Sequence, residues 1–407
     1  MKFLQTGDWH LGKVFYEQSL LEDQKCFLDQ VSKELADAED NGSPYDALVV
    51  PGDIYDRAVP PAEAVTLFSS FLNRIRTVFP RLHLFFLAGN HDSAERLSFA
   101  AELLENQNIH ICTGMQHFTE PVLVGSGSCV AAVYQLPYLT PGCVAIPQKK
   151  NPDMQNSLFN TDAVLRSQQQ LAEEAVRQIW AAHQKKYQTL PAVLCAHLFT
   201  LGAVSSDSER LFTGAAEQVD ASIFAPFVYT ALGHLHKAQK CGSGSVQYSG
   251  SPLAYSFGEE PSKYMLCVTV TEDGAKAERI PVQPLHPVVT LAGTFEQFYS
   301  VSDSGAYRNC YVEIQCTDTA VHENAMALLR TKYPLLLSFT RSTGGQTAED
   351  ASLAERRKLL QASRKNSGDI FDLFIRDMYG ETSCGNTGST DSEKKLFIEL
   401  AQQEGSL

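Results

Sequence analysis

Five short, mostly apolar runs recur along the chain, Lys2 to Thr6, Ala47 to Pro51, His83 to Ala88, Ala192 to Ala196 and Val228 to Leu232, often β-branched or aromatic. Apolarity without strict alternation over so few residues predicts buried strands. Apolar residues at helical spacing predict helices over Leu20 to Ala38, over Ala64 to Val78 with Val65, Phe68, Leu72 and Ile75 inward, and over Ala163 to Tyr187. Residues 121–136, 244–256 and 263–270 read as further strands, with Gly250 at a tight turn. The pattern predicts an α/β main domain over 1–278. Past Pro281, Pro284 and Pro287 it restarts as strand, helix, strand, helix, strand: Val288 to Leu291, Phe295 to Tyr299, Tyr311 to Cys316, Val321 to Lys332 and Leu335 to Thr340, a small α/β module over 279–343. Gly344-Gly345 opens a tail, 344–407, of helical segments. The middle one, Asp369 to Tyr379, has an apolar face of Ile370, Phe371, Phe374, Met378 and Tyr379.

The polar residues are concentrated where the runs end. Asp8-Trp9-His10, Gly52-Asp53, Gly89-Asn90-His91-Asp92, His197 and Gly233-His234-Leu235-His236 each follow an apolar run. Loops past the carboxyl ends of strands converge on one patch even when far apart in sequence. In an extended segment, residues two apart project to one side, which lets Asp8 and His10, or His234 and His236, reach a common ion. Gly52, Gly89 and Gly233 stand where a sharp turn needs a residue tolerant of positive φ. Imidazoles, carboxylates and one amide oxygen without thiolate suit manganese, iron or zinc. An isolated Asp-x-His more often marks a solvated turn; the five motifs in order are far more specific.

On these residues, and on Thr6-Gly7-Asp8-Trp9-His10-Leu11-Gly12, Gly52-Asp53-Ile54-Tyr55-Asp56, Leu87-Ala88-Gly89-Asn90-His91-Asp92-Ser93, Ala231-Leu232-Gly233-His234-Leu235-His236 and Tyr248-Ser249-Gly250-Ser251-Pro252, the chain resembles the calcineurin-like metallophosphoesterases nearly end to end. Trp9 and Ser93 favour their Mre-type DNA repair nuclease branch over the protein phosphatases. The resemblance implies a β-sandwich flanked by helices, a small α/β capping domain and a helical tail. It implies two divalent ions, Mn²⁺ foremost, one on Asp8, His10, Asp53 and His236, the other on Asp53, Asn90, His197 and His234, with Asp53 bridging. Such a pair activates water and holds a phosphodiester for in-line attack. His91 is implied beside the scissile phosphate, as a transition-state stabiliser or proton donor, with Asp92 orienting it; a turn-capping carboxylate is the plainer reading of Asp92.

The resemblance further implies a coiled-coil ATPase partner in a heterotetramer, a homodimer of this chain, and duplex DNA ends and hairpins as substrates. Ile370, Phe371, Phe374 and Met378 would grip the partner's coiled-coil base, unless that face packs back on the capping module. Two departures stand out: Gly7 replaces a common Ser, and Asp56 stands where archaeal relatives often carry His. A nuclease that is metal-dependent competes with two other readings, a small-nucleotide phosphodiesterase and a non-catalytic scaffold.

Composition changes the picture in three places. The length of 407 residues exceeds the roughly 250 to 300 that one core supports, so more than one domain is expected. The net charge of −14 argues against a DNA-coating surface and leaves the DNA-contacting residues unassigned; the basic run Arg356, Arg357, Lys358, Arg364 and Lys365 reads first as a solvated helix face. Scattered cysteines without Cys-x-x-Cys, including Cys129, Cys195, Cys267, Cys310 and Cys316, read as thiols of a reducing, cytoplasmic compartment, and the spacing of Cys310 and Cys316 is poor for zinc. The start, with Asp8 and His10 and no apolar core, does not read as a signal peptide, and no apolar stretch reaches a membrane span. Gly7 to Lys13 mimics a Walker A loop, but Val14 takes the Ser/Thr place, so no ATP site is expected in this chain.

Overall fold

The structure, a computed structural model, describes residues 1–126, 129–145, 165–206, 208, 218–242, 245–272, 274–301, 305–318 and 322–341. The four partner-directed residues, Ile370, Phe371, Phe374 and Met378, and the basic run near 356–365 lie outside them. Among the described residues there are two compact units. The larger comprises Met1–Leu291, Tyr299–Ile314 and Asn324–Phe339.

The larger unit contains two six-stranded sheets. The first has the order Gly274–Val282, Lys263–Thr271, Lys2–Gln5, Ala47–Val50, His83–Leu87, Ile109–Cys112. Its last four strands are mutually parallel, and the Lys263–Thr271/Gly274–Val282 hairpin adds on antiparallel to Lys2–Gln5. The second runs Gln239–Cys241, Val246–Tyr248, Tyr229–Gly233, Ala192–His197, Cys129–Leu136, Val122–Ser126. Its four inner strands are parallel and its two edges antiparallel.

The predicted burial follows from this architecture. Phe3, Ala47, Val49, Phe85 and Leu87 from the first sheet meet Ala131, Val133, Val193, Cys195 and Tyr229 from the second in one core. Their neighbours along the same strands, Leu4, Leu48, Val50, Leu84 and Phe86, point the other way, onto helices Leu21–Asp40 and Ala62–Val78. Ala132, Tyr134, Leu194 and Ala196 do the same against helix Gln168–Lys186, which Ser167 caps by accepting the Gln170 N–H. This is the expected helix-flanked α/β sandwich.

Two details differ from the pattern-based reading. The inward face of Ala62–Val78 is Ala64, Phe68, Phe71 and Ile75, whereas Val65 is exposed; packing under the Trp9 cluster rotates the helix slightly from the stripe that Val65 suggested. Strand Gly274–Val282 was hidden because it lies at the sheet edge, where Lys276 and Glu278 face solvent and Pro281 is tolerated; residue 278 lies inside it. Beyond it, Val288–Gly293, Tyr311–Cys316 and Leu336–Arg341 form a three-stranded sheet, with short helices Phe295–Tyr299 and Ala325–Arg330. The expected order of that module is observed. Cys195, Cys310 and Cys316 are buried free thiols, whereas Cys129 and Cys267 are half-buried.

Candidate metal centre

The motif residues stand at or just past the ends of strands of the sandwich, His197 being the last residue of Ala192–His197, and at four of them the backbone leaves the extended region. Asp8, His10 and Asp53 hold φ of 53°, 45° and 48°, and His234 holds 104°. Non-glycine residues in this region carry strain, and the surroundings must over-determine them. Asp8 N–H donates to Gly52 O (3.2 Å), His10 N–H to Asp53 O (3.0 Å) and Leu11 N–H to Ile54 O (2.8 Å), so the first two motif loops are laced together. The Gln24 amide donates to Trp9 O (3.2 Å) and His10 O (2.7 Å) while its oxygen accepts the Gly12 N–H (2.9 Å). Tyr255 Oη–H donates to Trp9 O (2.6 Å). Trp9 is fully buried with its ring edge-to-face against Phe27, Phe68, Phe71 and Phe86. It anchors the turn from which Asp8 and His10 emerge, so a left-handed turn around a buried indole, in place of strand alternation, aims both side chains at one spot.

The glycines divide by role. Gly52 has a φ of 115°, and a Cβ there would strike the His197 ring. Gly89 and Gly233 need no positive φ; a Cβ on Gly89 would collide with Asp53 and one on Gly233 with Pro51 O. Close approach, more than turn geometry, excludes side chains at these two positions.

The ligand candidates form two clusters that share Asp53. Asp53 Oδ1 accepts the His91 N–H (2.9 Å), leaving Oδ2 at 3.4 Å from His197 Nε2 and 3.7 Å from His10 Nε2. On one side His10 Nε2 and His236 Nε2 face each other at 3.1 Å, beside Asp8. On the other, Asn90 Oδ1 lies 3.0 Å from both His197 Nε2 and His234 Nδ1, which are 3.3 Å apart. All seven residues assigned to metal binding, Asp8, His10, Asp53, Asn90, His197, His234 and His236, are brought together.

The electrostatics fit two cations. Asp8 Oδ1 accepts the His234 N–H (2.8 Å), but its buried Oδ2 has no partner, an acceptor whose desolvation a cation would offset. Burial pushes the Asp8 carboxyl up to about 7, against the pull of His197 and His236. Burial also raises Asp53, yet neighbouring His197, His10 and His91 outweigh it and hold this shared carboxyl well below the usual carboxylate range. Burial lowers His10, and burial with His197 lowers His234 to about 3, so both rings keep lone pairs for a ligand bond. Burial lowers His197, but Asp53 and Asp8 outweigh it and raise the ring to about 9, so a cation would displace its Nε2 proton, while Nδ1 faces Pro51 O at 2.8 Å, an acceptor that keeps the other proton on Nδ1.

His91 lies at the edge of this cluster, its ring edge-to-face on His10 with centroids 4.7 Å apart. Its Nδ1 meets Asp56 O at 2.9 Å. Asp92 sits elsewhere than expected: its carboxylate accepts the N–H groups of Gly89 (3.0 Å), Ile54 (3.1 Å) and Tyr55 (2.9 Å). These bonds join the second and third motif loops, which is the turn-capping geometry, and the ring of His91 is oriented by a backbone carbonyl instead. Asp56 Oδ1 lies 3.6 Å from His10 Nδ1 and forms an ion pair with Lys13 at 2.8 Å. Pattern reading missed Gln24, Tyr255 and Glu259 around the site, single polar residues without motif spacing.

Residues 1–238 match the calcineurin-like phosphoesterase family. Over nearly its whole length the chain is 27% identical to the SbcD component of the nuclease SbcCD from Staphylococcus saprophyticus, covering 99% of each. It is 28% identical to the protein of that name from Staphylococcus epidermidis, covering 100% of each. Among solved structures, a dimetal phosphatase from Danio rerio (12% identity, TM-score 0.40, 70% of this chain and 99% of the other) and a phosphopantetheinyl hydrolase from Mycobacterium tuberculosis (14%, 0.34, 62% and 90%) are similar. Among the described residues no helix is long and apolar enough to cross a membrane.

Proposed function

The chain belongs to the calcineurin-like phosphoesterase family, and from that premise we propose that it is a two-metal DNA nuclease, the SbcD component of an SbcCD complex. The observation that carries the metal chemistry is the pair of ligand clusters joined through Asp53 Oδ2. Full-length similarity to two proteins of that name supports the substrate class. In this reading it cleaves duplex DNA from ends, 3′ to 5′, and opens hairpins, with Mn²⁺ as the working ion.

When bound, the two ions supply Lewis acidity for a phosphate and for water. The chain's own residues do the rest. Asp8, His10, Asp53 and His236 hold one ion, and Asp53, Asn90, His197 and His234 the other. His91 donates its Nδ1–H to Asp56 O, which leaves Nε2 as the atom from which the doubly protonated ring would give its second proton to the leaving 3′ or 5′ oxygen. Asp92 keeps the loop bearing Asn90 and His91 against the loop bearing Asp53.

The partner in this reading is the ATPase SbcC, in a heterotetramer with two copies of this chain. The tail from 344 onward would grip the SbcC coiled coil through Ile370, Phe371, Phe374 and Met378, the stretch between the first sheet and residue 343 would cap the DNA path, and the complex would work in the cytoplasm on the nucleoid.

The test is Mn²⁺-dependent cleavage of end-labelled duplex and hairpin DNA, with Asp53→Ala as control and SbcC plus ATP in parallel. Cleavage lost in the control and enhanced by SbcC is expected. Hydrolysis of a small phosphodiester with no DNA cleavage in any combination would move the chain to a nucleotide phosphodiesterase.

A further inference from the structure

The imidazoles of the Asp8-side cluster and those of the Asn90-side cluster are backed by different groups. His197 rests its outer nitrogen on a neutral carbonyl, Pro51 O. The two histidines beside Asp8 instead face carboxylates, each tied to a lysine. His10 Nδ1 faces Asp56, paired with Lys13. His236 Nδ1 faces Glu259 Oε1 at 3.3 Å and Ser208 Oγ at 2.7 Å. The Glu259 and Lys263 side chains are both buried and form an ion pair. Lys263 Nζ also donates to His236 O (3.2 Å) and Ser251 Oγ (3.0 Å). A buried ion pair contributes little net stability, so its placement directly behind one imidazole needs another reason.

We propose that Glu259, held by Lys263, is a positioning residue that sets the ring orientation and tautomer of His236 and thereby the affinity of the ion on the Asp8, His10, Asp53 and His236 side. The inference rests on the two-ion reading above. A carboxylate that accepts Nδ1–H, directly or through Ser208 Oγ, which donates to Glu259 Oε1, fixes the proton there, bares Nε2 toward His10 and makes the imidazole a stronger donor. Lys263 neutralises the carboxylate and, through His236 O, ties the loop after Tyr229–Gly233 in the second sheet to the first strand residue of Lys263–Thr271 in the first. The ion on the Asn90, His197 and His234 side would take no ligand backed by this pair.

The experiment is Mn²⁺ titration of the full chain, followed by calorimetry and by the electron paramagnetic resonance signal of a spin-coupled ion pair. Wild type is expected to take up two ions. Glu259→Gln should weaken one by about 10- to 100-fold, the usual effect of removing such a partner, leave the other unchanged, and move the coupled signal to correspondingly higher Mn²⁺. If Glu259→Gln does not fold because Lys263 is left unpaired, the Glu259→Gln/Lys263→Met pair removes both charges, and the same selective weakening is expected of it. Two ions bound with wild-type affinity by the folded variant would overturn the role of Glu259. Wild type and Asp53→Ala serve as the separate controls: fewer than two ions on wild type, or two ions bound at wild-type affinity by Asp53→Ala, would sink the reading of two sites joined through Asp53, and this inference with it.

Discussion

His91 lies beside the ligand cluster, and only its main-chain N–H, bonded to Asp53 Oδ1, ties it to the bridging carboxylate. Replacing its ring therefore separates ion binding from proton transfer: His91→Ala should keep both ions by calorimetry and lose about 10²- to 10⁴-fold in cleavage rate, the range for a general acid, and cleavage at wild-type rate would remove His91 from the mechanism. Gly89 tests the opposite coupling. Its missing Cβ is the space that Asp53 occupies, so Gly89→Ala should lower the melting temperature, at an overpacking cost of about 1–3 kcal/mol, and abolish two-ion uptake together; retention of both ions would show that the loop yields. These residues stand in the motifs legible in the sequence, whereas the roles of His91 and Asp92 came from the resemblance, and not every role was legible. By resemblance Asp92 was expected to orient the His91 ring, with turn capping as the plainer reading; its carboxylate accepts the N–H groups of Gly89, Ile54 and Tyr55, the capping geometry, because three backbone donors within reach satisfy a half-buried carboxylate.

Among the elements, strands His83–Leu87 and Ile109–Cys112 are neighbours in the first sheet and carry a histidine pair, His83 Nδ1 to His110 Nε2 at 3.0 Å with stacked rings. Burial, with His83 and Arg76 adding to it, lowers His110 to about 4, and burial also lowers His83. A depressed histidine favours the fold while neutral. Its contribution is complete above the unfolded value near 6.5 and is lost as pH falls from there toward 4, because the unfolded chain takes up a proton that the folded one refuses. The melting temperature should therefore fall over that window, and less steeply in His110→Leu; equal slopes would sink this assignment. Element boundaries were legible wherever a strand is buried on both faces, as in Ala47–Val50. They were not legible for Gly274–Val282, whose edge position leaves its outward residues polar and its periodicity weak.

Over the whole molecule, cleavage and partner docking are carried by separate stretches of chain in the proposed reading. Deleting residues 346–407 should abolish co-purification with SbcC and spare basal Mn²⁺-dependent cleavage, and retained association would refute the tail's role. Light scattering should show a dimer at micromolar concentration; a monomer with and without SbcC would remove that claim. Some of this molecule was settled along the chain itself. Apolar runs ending in Asp, His and Asn specify strands and the loops after them, since burial and turn chemistry act over neighbouring positions, and so the strands and the polar residues past their ends could be read, while the sandwich and the choice of seven ligand candidates came from the resemblance to the metallophosphoesterases. Other features required residues distant in sequence to meet. That Asp53 Oδ2 lies between His10 and His197 and that Glu259 and Lys263 stand behind His236 follow from strands and loops of two sheets being brought together, and that Trp9 plugs a cage of four phenylalanines follows from two helices packing on the outer face of the first sheet. No local pattern encodes such contacts, because each is fixed by the position of a whole strand or loop rather than by its neighbours in the chain.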